Sequence, residues 1–222
     1  MVGAAFQESI IARAISRGFL EISCHQIRNY TTNKQGKVDD YPYSGGPGLV
    51  MAYQPIADCI GAVSRTCTGE KPYIIYMSPQ GNPFDQKMAK KLSEKENLMI
   101  LCGHYEGIDA RILEYVDEEI SIGDYVLTGG EIPACALVDA ISRLIPGVIS
   151  DESTSGESFT MGLLEYPQYT RPAIYDNKKV PEILLSGHHA NIEKWKRYQA
   201  LKKTYKQRPD LLEKYTLSQQ DI

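Results

Sequence analysis

The sequence lacks the features that mark membrane, secreted and metal-binding proteins. No apolar run approaches the roughly 20 residues that a membrane-spanning helix needs, and the N-terminus carries no secretory signal. The cysteines, at positions 24, 59, 67, 102 and 135, are odd in number and form no C-x-x-C pair, and histidines are few. We therefore expect a cytoplasmic protein with reduced thiols and with neither a zinc site nor a catalytic metal cluster.

Two phosphate-binding motifs are also missing. The chain contains neither G-x-G-x-x-G nor G-x-x-x-x-G-K-[ST], which weakens a dinucleotide-binding interpretation and disfavours a P-loop nucleotide hydrolase. The 222 residues, 42% of them apolar and 23% charged, are otherwise ordinary for a globular protein. This length fits one large domain or a domain with an appendage.

Charge is unevenly distributed along the chain. Residues 1–162 hold 13 basic and 21 acidic side chains, whereas residues 163–222 hold 11 basic and 7 acidic ones. A basic tail behind an acidic body indicates either a polyanionic partner contacted by the tail or simply a solvated basic helix.

Short apolar segments alternate with helical segments in the first two thirds of the chain. The patterns predict strands at 19–27, 73–77, 98–102 and 118–122, and helices at 6–17, 55–67, 85–95, 108–116 and 131–145. Alternation of this kind predicts an α/β fold with a mostly parallel sheet and helices on both faces. We place this α/β domain at residues 1–149.

Three glycine-bearing loops follow predicted strands, at residues 77–81, 102–107 and 122–130. Because the carboxyl ends of parallel strands meet at one edge of a sheet, the loops together predict one ligand crevice, although each alone could be an ordinary turn. The crevice would carry Glu106, Asp124 and Glu131 and no lysine or arginine. Such a site disfavours a triphosphate and suits a neutral or cationic ligand, for example a sulfonium methyl donor.

The other segments are polar or helical. Residues 28–48, rich in glycine and tyrosine, predict an ordered binding loop, and residues 150–162 predict an inter-domain linker. Residues 163–222 predict a small helical domain with helices at 181–186, 191–206 and 209–215. In its long helix, four side chains share one face, which we interpret as core packing rather than base stacking: Trp195, Tyr198, Leu201 and Tyr205.

Several long motifs resemble one family. VDDYPYSGGPG, YMSPQG, LCGHYEGID, SIGDYVLTGGE, SRLIPGV and LLEYPQYTRP, in this order, are similar to the bacterial tRNA (guanine-N1)-methyltransferases of the TrmD type in the SPOUT superfamily. The resemblance implies a deep trefoil knot, a homodimer with a composite active site and S-adenosylmethionine as methyl donor. It also implies tRNA as substrate, methylated at N1 of guanosine 37 beside the anticodon. Members usually begin with a short strand ahead of the first helix, so we expect a narrower sheet with an exposed edge here.

The same resemblance implies which residues bind the methyl donor. They lie on the three loops: Tyr76, Met77, Ser78, Pro79, Gly103, Glu106, Ile122, Gly123, Asp124, Tyr125, Val126, Leu127, Gly129, Gly130 and Pro133.

Two chemical roles remain, a base and a cation. Guanine N1 becomes a good nucleophile only when its proton leaves, so a carboxylate should take the proton and a cation should stabilise charge at O6. The resemblance assigns the cation to Arg143. It places the base directly before Ser158, where this sequence has Glu157 instead of the family's aspartate. Asp151 and Glu152 are alternative bases.

Three rival functions remain open at this point. The chain could be an RNA-binding module with a vestigial donor pocket, which the change from aspartate to glutamate favours. It could be a SPOUT methyltransferase for another RNA site, against which LLEYPQYTRP argues. A metabolic α/β enzyme with a nucleotide cofactor is disfavoured by the missing phosphate loop.

Overall fold

The protein is described by a computed structural model that covers residues 2–150, 157–160, 162–213 and 215–216. The chain forms two compact units, Met1–Ile149 (unit 1) and Ser150–Ile222 (unit 2). The predicted linker at 150–162 lies largely outside the described residues, and it stays a prediction.

Unit 1 alternates strands and helices. Its elements are α1 (Val2–Ala5), α2 (Ser9–Ser16), a 3-10 helix (Ile27–Tyr30), β1 (Asp39–Asp40), β2 (Val50–Met51), α3 (Tyr53–Ser64), β3 (Tyr73–Pro83), α4 (Gln86–Ser93), β4 (Leu98–Cys102), a second 3-10 helix (Ala110–Tyr115), β5 (Glu118–Ser121) and α5 (Glu131–Ser142). β1 and β2 pair antiparallel, while the main sheet has the order β4-β3-β5 with parallel pairing throughout. The predicted α/β class with a parallel sheet is confirmed.

Both faces of this sheet are covered by apolar cores. Successive side chains of a strand point to opposite faces, so Ile75 and Met77 of β3 pack with α4 and α5, while Ile74 and Tyr76 pack with α3 and the second 3-10 helix. The apolar residues of β3 are therefore buried on both sides, which explains why its sequence is a continuous apolar run rather than an alternating one.

β3 differs from its predicted form. The sequence predicts that the strand ends at Met77 and gives way to a loop, but β3 continues to Pro83 with a register shift. Met77 and Asn82 both pair with Ile120, so residues 78–81 form an excursion within the strand. Gly81 permits this path because a Cβ there would lie 2.4 Å from the backbone nitrogen of Ile120.

Three other predictions for unit 1 need correction. The strand predicted at 19–27 is wrong: residues 20–26 belong to no strand or helix, because a strand exists only where a neighbour completes its hydrogen bonds. The helix predicted at 6–17 begins later than expected, at Ser9, whose φ is 60°, and ends at Ser16; residues 6–8 separate it from α1. The helix predicted at 108–116 is a shorter 3-10 helix, whose first turn is capped by the Asp109 carboxylate accepting from Arg111 N–H.

The described residues of unit 2 form a hairpin and three helices. They are β6 (Ile174–Tyr175), β7 (Lys178–Lys179), α6 (Glu182–Leu185), α7 (His189–Gln207) and α8 (Pro209–Glu213). The sequence patterns did not predict the hairpin. Its turn residues Asp176 and Asn177 have φ values of 49° and 57°, a left-handed conformation that Asp and Asn tolerate better than most residues.

The buried side of α7 centres on Thr204, which has no exposed surface. Its hydroxyl accepts a hydrogen bond from the Leu164 N–H at 2.9 Å and donates one to the Ala200 carbonyl at 2.7 Å. The predicted core role is wrong for Tyr198 and Tyr205, which are 58% and 72% exposed. Helical periodicity finds the faces of a helix but does not say which face is buried.

Candidate functional site

Two of the three predicted loops meet at the carboxyl edge of the sheet. We call them the β4 loop (residues 103–109) and the β5 loop (residues 122–130). The Gly130 N–H donates to the Gly103 carbonyl at 2.9 Å, and His104 and Gly129 form an antiparallel bridge. A Cβ at position 130 would lie 2.7 Å from the Cα of Cys102. Glycine is thus required where the backbones meet.

Tyr76 connects the sheet to the β4 loop. A Cβ at position 103 would lie 3.1 Å from the Tyr76 hydroxyl oxygen, and one at position 107 would lie 3.7 Å from it. Tyr76, Met77 and Ser78 are all buried, whereas Pro79 is exposed. Burial, followed by the charge of Glu119, raises the pKa of Tyr76, so its hydroxyl stays protonated near neutral pH.

The β5 loop is closely packed where it leaves β5 and carries apolar side chains at its tip. At the base, Gly123 has a φ of 152°, and a Cβ there would lie 2.5 Å from the Tyr125 ring. At the tip, Tyr125, Val126 and Leu127 are 54%, 83% and 38% exposed. Ile122 is half-buried, Asp124 is exposed, and Pro133 is buried in the first turn of α5. The loop therefore presents apolar surface to its surroundings.

The chain directly after the predicted binding loop, at residues 49–51, joins the β4 loop through its backbone. Glu106 N–H donates to the Leu49 carbonyl at 3.0 Å, and Met51 N–H donates to the Gly107 carbonyl at 2.9 Å. Gly48, with a φ of 91°, lies beneath the Glu106 side chain, since a Cβ there would lie 2.6 Å from Oε1. Residues 48–51 thus hold Glu106 at the edge of the crevice.

The sequence assigned no role to His104 and predicted Glu131 only as one of the acidic residues of the crevice. His104 Nε2 lies 2.5 Å from Glu131 Oε1, so a side-chain contact also joins the β4 loop to α5, directly after the β5 loop. The two residues are 27 positions apart, and no local pattern signals a pairing at that distance. Nearby, burial first and the charge of Glu131 second raise the pKa of Cys102 to about 12. Its thiol therefore stays protonated and is a poor nucleophile.

The two predicted catalytic residues belong to different units. Arg143 of unit 1 is half-buried and forms the C-cap of α5, with its N–H donating to the Asp139 carbonyl. Glu157 of unit 2 is half-buried and begins a turn in which its carbonyl accepts from Thr160 N–H. The rival bases Asp151 and Glu152 lie outside the described residues.

In the part of the chain that the structure describes, no group of three or more His, Cys, Asp or Glu side chains could hold a metal ion. Among the same residues, no helix is both long and apolar enough to cross a membrane.

Comparison with known proteins gives consistent matches. Residues 1–214 match the family model described as tRNA (Guanine-1)-methyltransferase TrmD. A tRNA (guanine-N(1)-)-methyltransferase of Ruminiclostridium cellulolyticum is 60% identical over 209 residues, covering 93% of this chain and 89% of the relative. Proteins of the same name from Lachnospira eligens and Clostridium botulinum are 53% and 55% identical, covering 100% and 97% of this chain and 94% and 89% of the relatives.

Proposed function

We propose, because the chain belongs to the tRNA (guanine-1)-methyltransferase family TrmD, that it transfers a methyl group to N1 of a guanosine in tRNA. The observation that carries this proposal beyond the family match is the junction of the β4 and β5 loops at Gly103 and Gly130. Backbone-lined crevices at the carboxyl ends of parallel strands are where α/β proteins bind ligands. The finer form of the proposal is methylation of guanosine 37.

The methyl donor would be S-adenosylmethionine, which supplies an electrophilic methyl group when bound. The residues present fit it: the exposed apolar side chains of Tyr125 and Leu127 suit an adenine ring, and the Glu106 carboxylate suits a sulfonium cation. The β4 loop contributes Gly103, and the excursion in β3 contributes Ser78 and Pro79.

Separate residues would accept the proton from guanine N1 and stabilise the negative charge on guanine O6. The Glu157 carboxylate would take the proton from guanine N1, and the Arg143 guanidinium would stabilise the negative charge that develops on O6. From the family to which the chain belongs, we infer a homodimer whose two chains share each active site. The exposed apolar side chains of Val126 and Ile132, 83% and 52% accessible in one chain, support such an interface.

Two further expectations complete the proposal. From the family we also infer a SPOUT-type trefoil knot in unit 1. All five cysteines are free thiols, which supports a cytoplasmic location.

A methyl-mapping experiment tests the function. The protein is incubated with labelled S-adenosylmethionine and an unmodified tRNA transcript that carries guanosines at positions 36 and 37, and the methyl group is located. We expect label at N1 of guanosine 37 and none when that base is replaced. Label at another position would indicate a methyltransferase for a different site. Binding of tRNA without transfer would indicate an RNA-binding module.

Substitution of the candidate base tests the mechanism. Glu157→Gln removes the proton acceptor with little change in shape, so turnover should fall by at least about 100-fold while donor binding, measured by calorimetry, stays unchanged. The matched controls are Asp151→Asn and Glu152→Gln, which should retain turnover. A large loss in either control instead of Glu157→Gln would move the base to that residue.

A further inference from the structure

The contact between His104 and Glu131 has an unusual setting. The two side chains are 44% and 25% exposed, and the Nε2–Oε1 distance is 2.5 Å. Glu131 is in the first turn of α5, where the helix dipole stabilises a carboxylate. A polar side-chain contact this exposed contributes little to global stability. The contact should therefore affect mainly the two loops next to it.

The side chains of His104 and Glu131 pack closely against Gly129. A Cβ at position 129 would lie 2.6 Å from Glu131 Oε2 and 2.7 Å from His104 Cε1. The two side chains thus lie directly over Gly129, and a methyl group at that position would have to displace them. The pair also covers the place where the backbones of His104 and Gly129 form their bridge.

The other side of His104 is fixed as well. Its N–H donates to Met51 Sδ at 3.3 Å, and its carbonyl accepts from Gly107 N–H at 3.1 Å. His104 is therefore anchored to β2 and to its own loop, and its ring reaches across to α5. A displacement of the ring would loosen the β5 loop at its C-terminal end without changing the core of unit 1.

We propose that His104 and Glu131 are positioning residues that set the spacing of the β4 and β5 loops around the methyl donor. This inference rests on the proposed function, because it assigns the donor to those two loops. Neither side chain needs to touch the reacting atoms. The pair acts by holding Gly103, Gly129 and Gly130 at the distances that the bound donor requires.

The test compares His104→Ala, Glu131→Ala and the double variant with the wild-type protein. We expect each single change to raise the dissociation constant and the KM for S-adenosylmethionine roughly ten-fold, with less than a two-fold change in kcat. The double variant should be no worse than either single variant, because the two residues act as one unit. His104→Gln keeps an N–H donor and should recover part of the affinity.

Amide hydrogen exchange without ligand provides the readout that a merely stabilising contact would not give. Exchange should accelerate in residues 103–107 and 122–130, with the melting temperature unchanged. Lys91→Gln, which removes the ion pair with Glu118 in the same unit, is the matched control and should alter neither loop. Unchanged donor affinity in His104→Ala, beside normal binding by the wild type, would overturn this inference alone. Failure of the wild type to bind S-adenosylmethionine would overturn the proposed function and this inference with it.

Discussion

Unit 1 and unit 2 hold their functional surfaces by different means. In unit 1 the candidate crevice depends on backbone hydrogen bonds, such as that from Gly130 to Gly103, and on positions too crowded for a Cβ. In unit 2 side chains make the organising contacts around α7: Thr204 bonds to Leu164, and Arg197 donates to the Tyr215 hydroxyl. The damaging change should therefore be an added methyl group in unit 1 and a lost polar group in unit 2.

The largest expected difference between the units comes from an added methyl group. Gly81→Ala places a Cβ 2.4 Å from Ile120 N and 2.5 Å from the Glu119 carbonyl carbon, both backbone atoms that cannot rotate away. We expect a loss of more than about 3 kcal/mol of unfolding free energy, or no folded protein, because overpacking here must displace β5. Urea denaturation followed by circular dichroism measures this loss of unfolding free energy.

The matched change in unit 2 is Gly187→Ala. Gly187 has a φ of 72° and nothing within 4 Å of an added Cβ, so the expected cost is only backbone strain of about 1–2 kcal/mol. If Gly81→Ala were as stable as Gly187→Ala, the contrast between a backbone-held and a side-chain-held unit would be wrong.

The next effect concerns a lost polar group. Thr204→Val keeps the volume of the side chain but removes the hydroxyl that binds Leu164 N–H and Ala200 O. Leaving the partner N–H unsatisfied should cost about 1–3 kcal/mol, seen as faster amide exchange at Leu164 and along α7. Thr160→Val, at an exposed position of the same unit, should have no measurable effect. Equal exchange in the two variants would contradict a role for Thr204 in organising unit 2.

Unit 1 and unit 2 also differ in which of their features the sequence predicts. The strands and helices around the sheet of unit 1 were predictable because buried parallel strands form apolar runs, and Leu98–Cys102 agrees at both ends. The extension of β3 and the unpaired residues 20–26 were not predictable, since pairing depends on distant neighbours. In the same way, the loops of the candidate site follow from the strands that precede them, whereas the His104–Glu131 contact depends on how those loops fold.

In unit 2 the sequence predicted the helix α7 but not which of its faces is buried. We define its basic–aromatic face by the exposed side chains Lys194, Tyr198, Lys202, Tyr205 and Lys206. The Lys202 ammonium lies 5.6 Å from the centre of the Tyr198 ring. Lysines interleaved with exposed aromatic rings are typical of surfaces that bind nucleic acid by phosphate contacts and base stacking. We expect this face to contact tRNA.

The smallest predicted effects separate stacking from charge on this face. Tyr198→Ala should weaken tRNA binding about five-fold at every salt concentration, because loss of stacking does not change the number of counterions released. Lys202→Gln should weaken binding mainly at low salt and reduce the slope of log affinity against log salt by about 1. Fluorescence anisotropy titrations between low and high salt measure both quantities.

Unit 1 supplies the control that decides whether unit 2 is the tRNA-binding surface. Lys87→Gln removes one exposed positive charge from α4, so it changes the net charge as much as Lys202→Gln does. If binding depended only on the charge of the whole protein, the two lysine variants would show equal salt slopes. We expect only the α7 variant to change its slope, because counterions are released where a side chain meets a phosphate. A surface built from side chains can then be altered one residue at a time while the fold that carries it is kept.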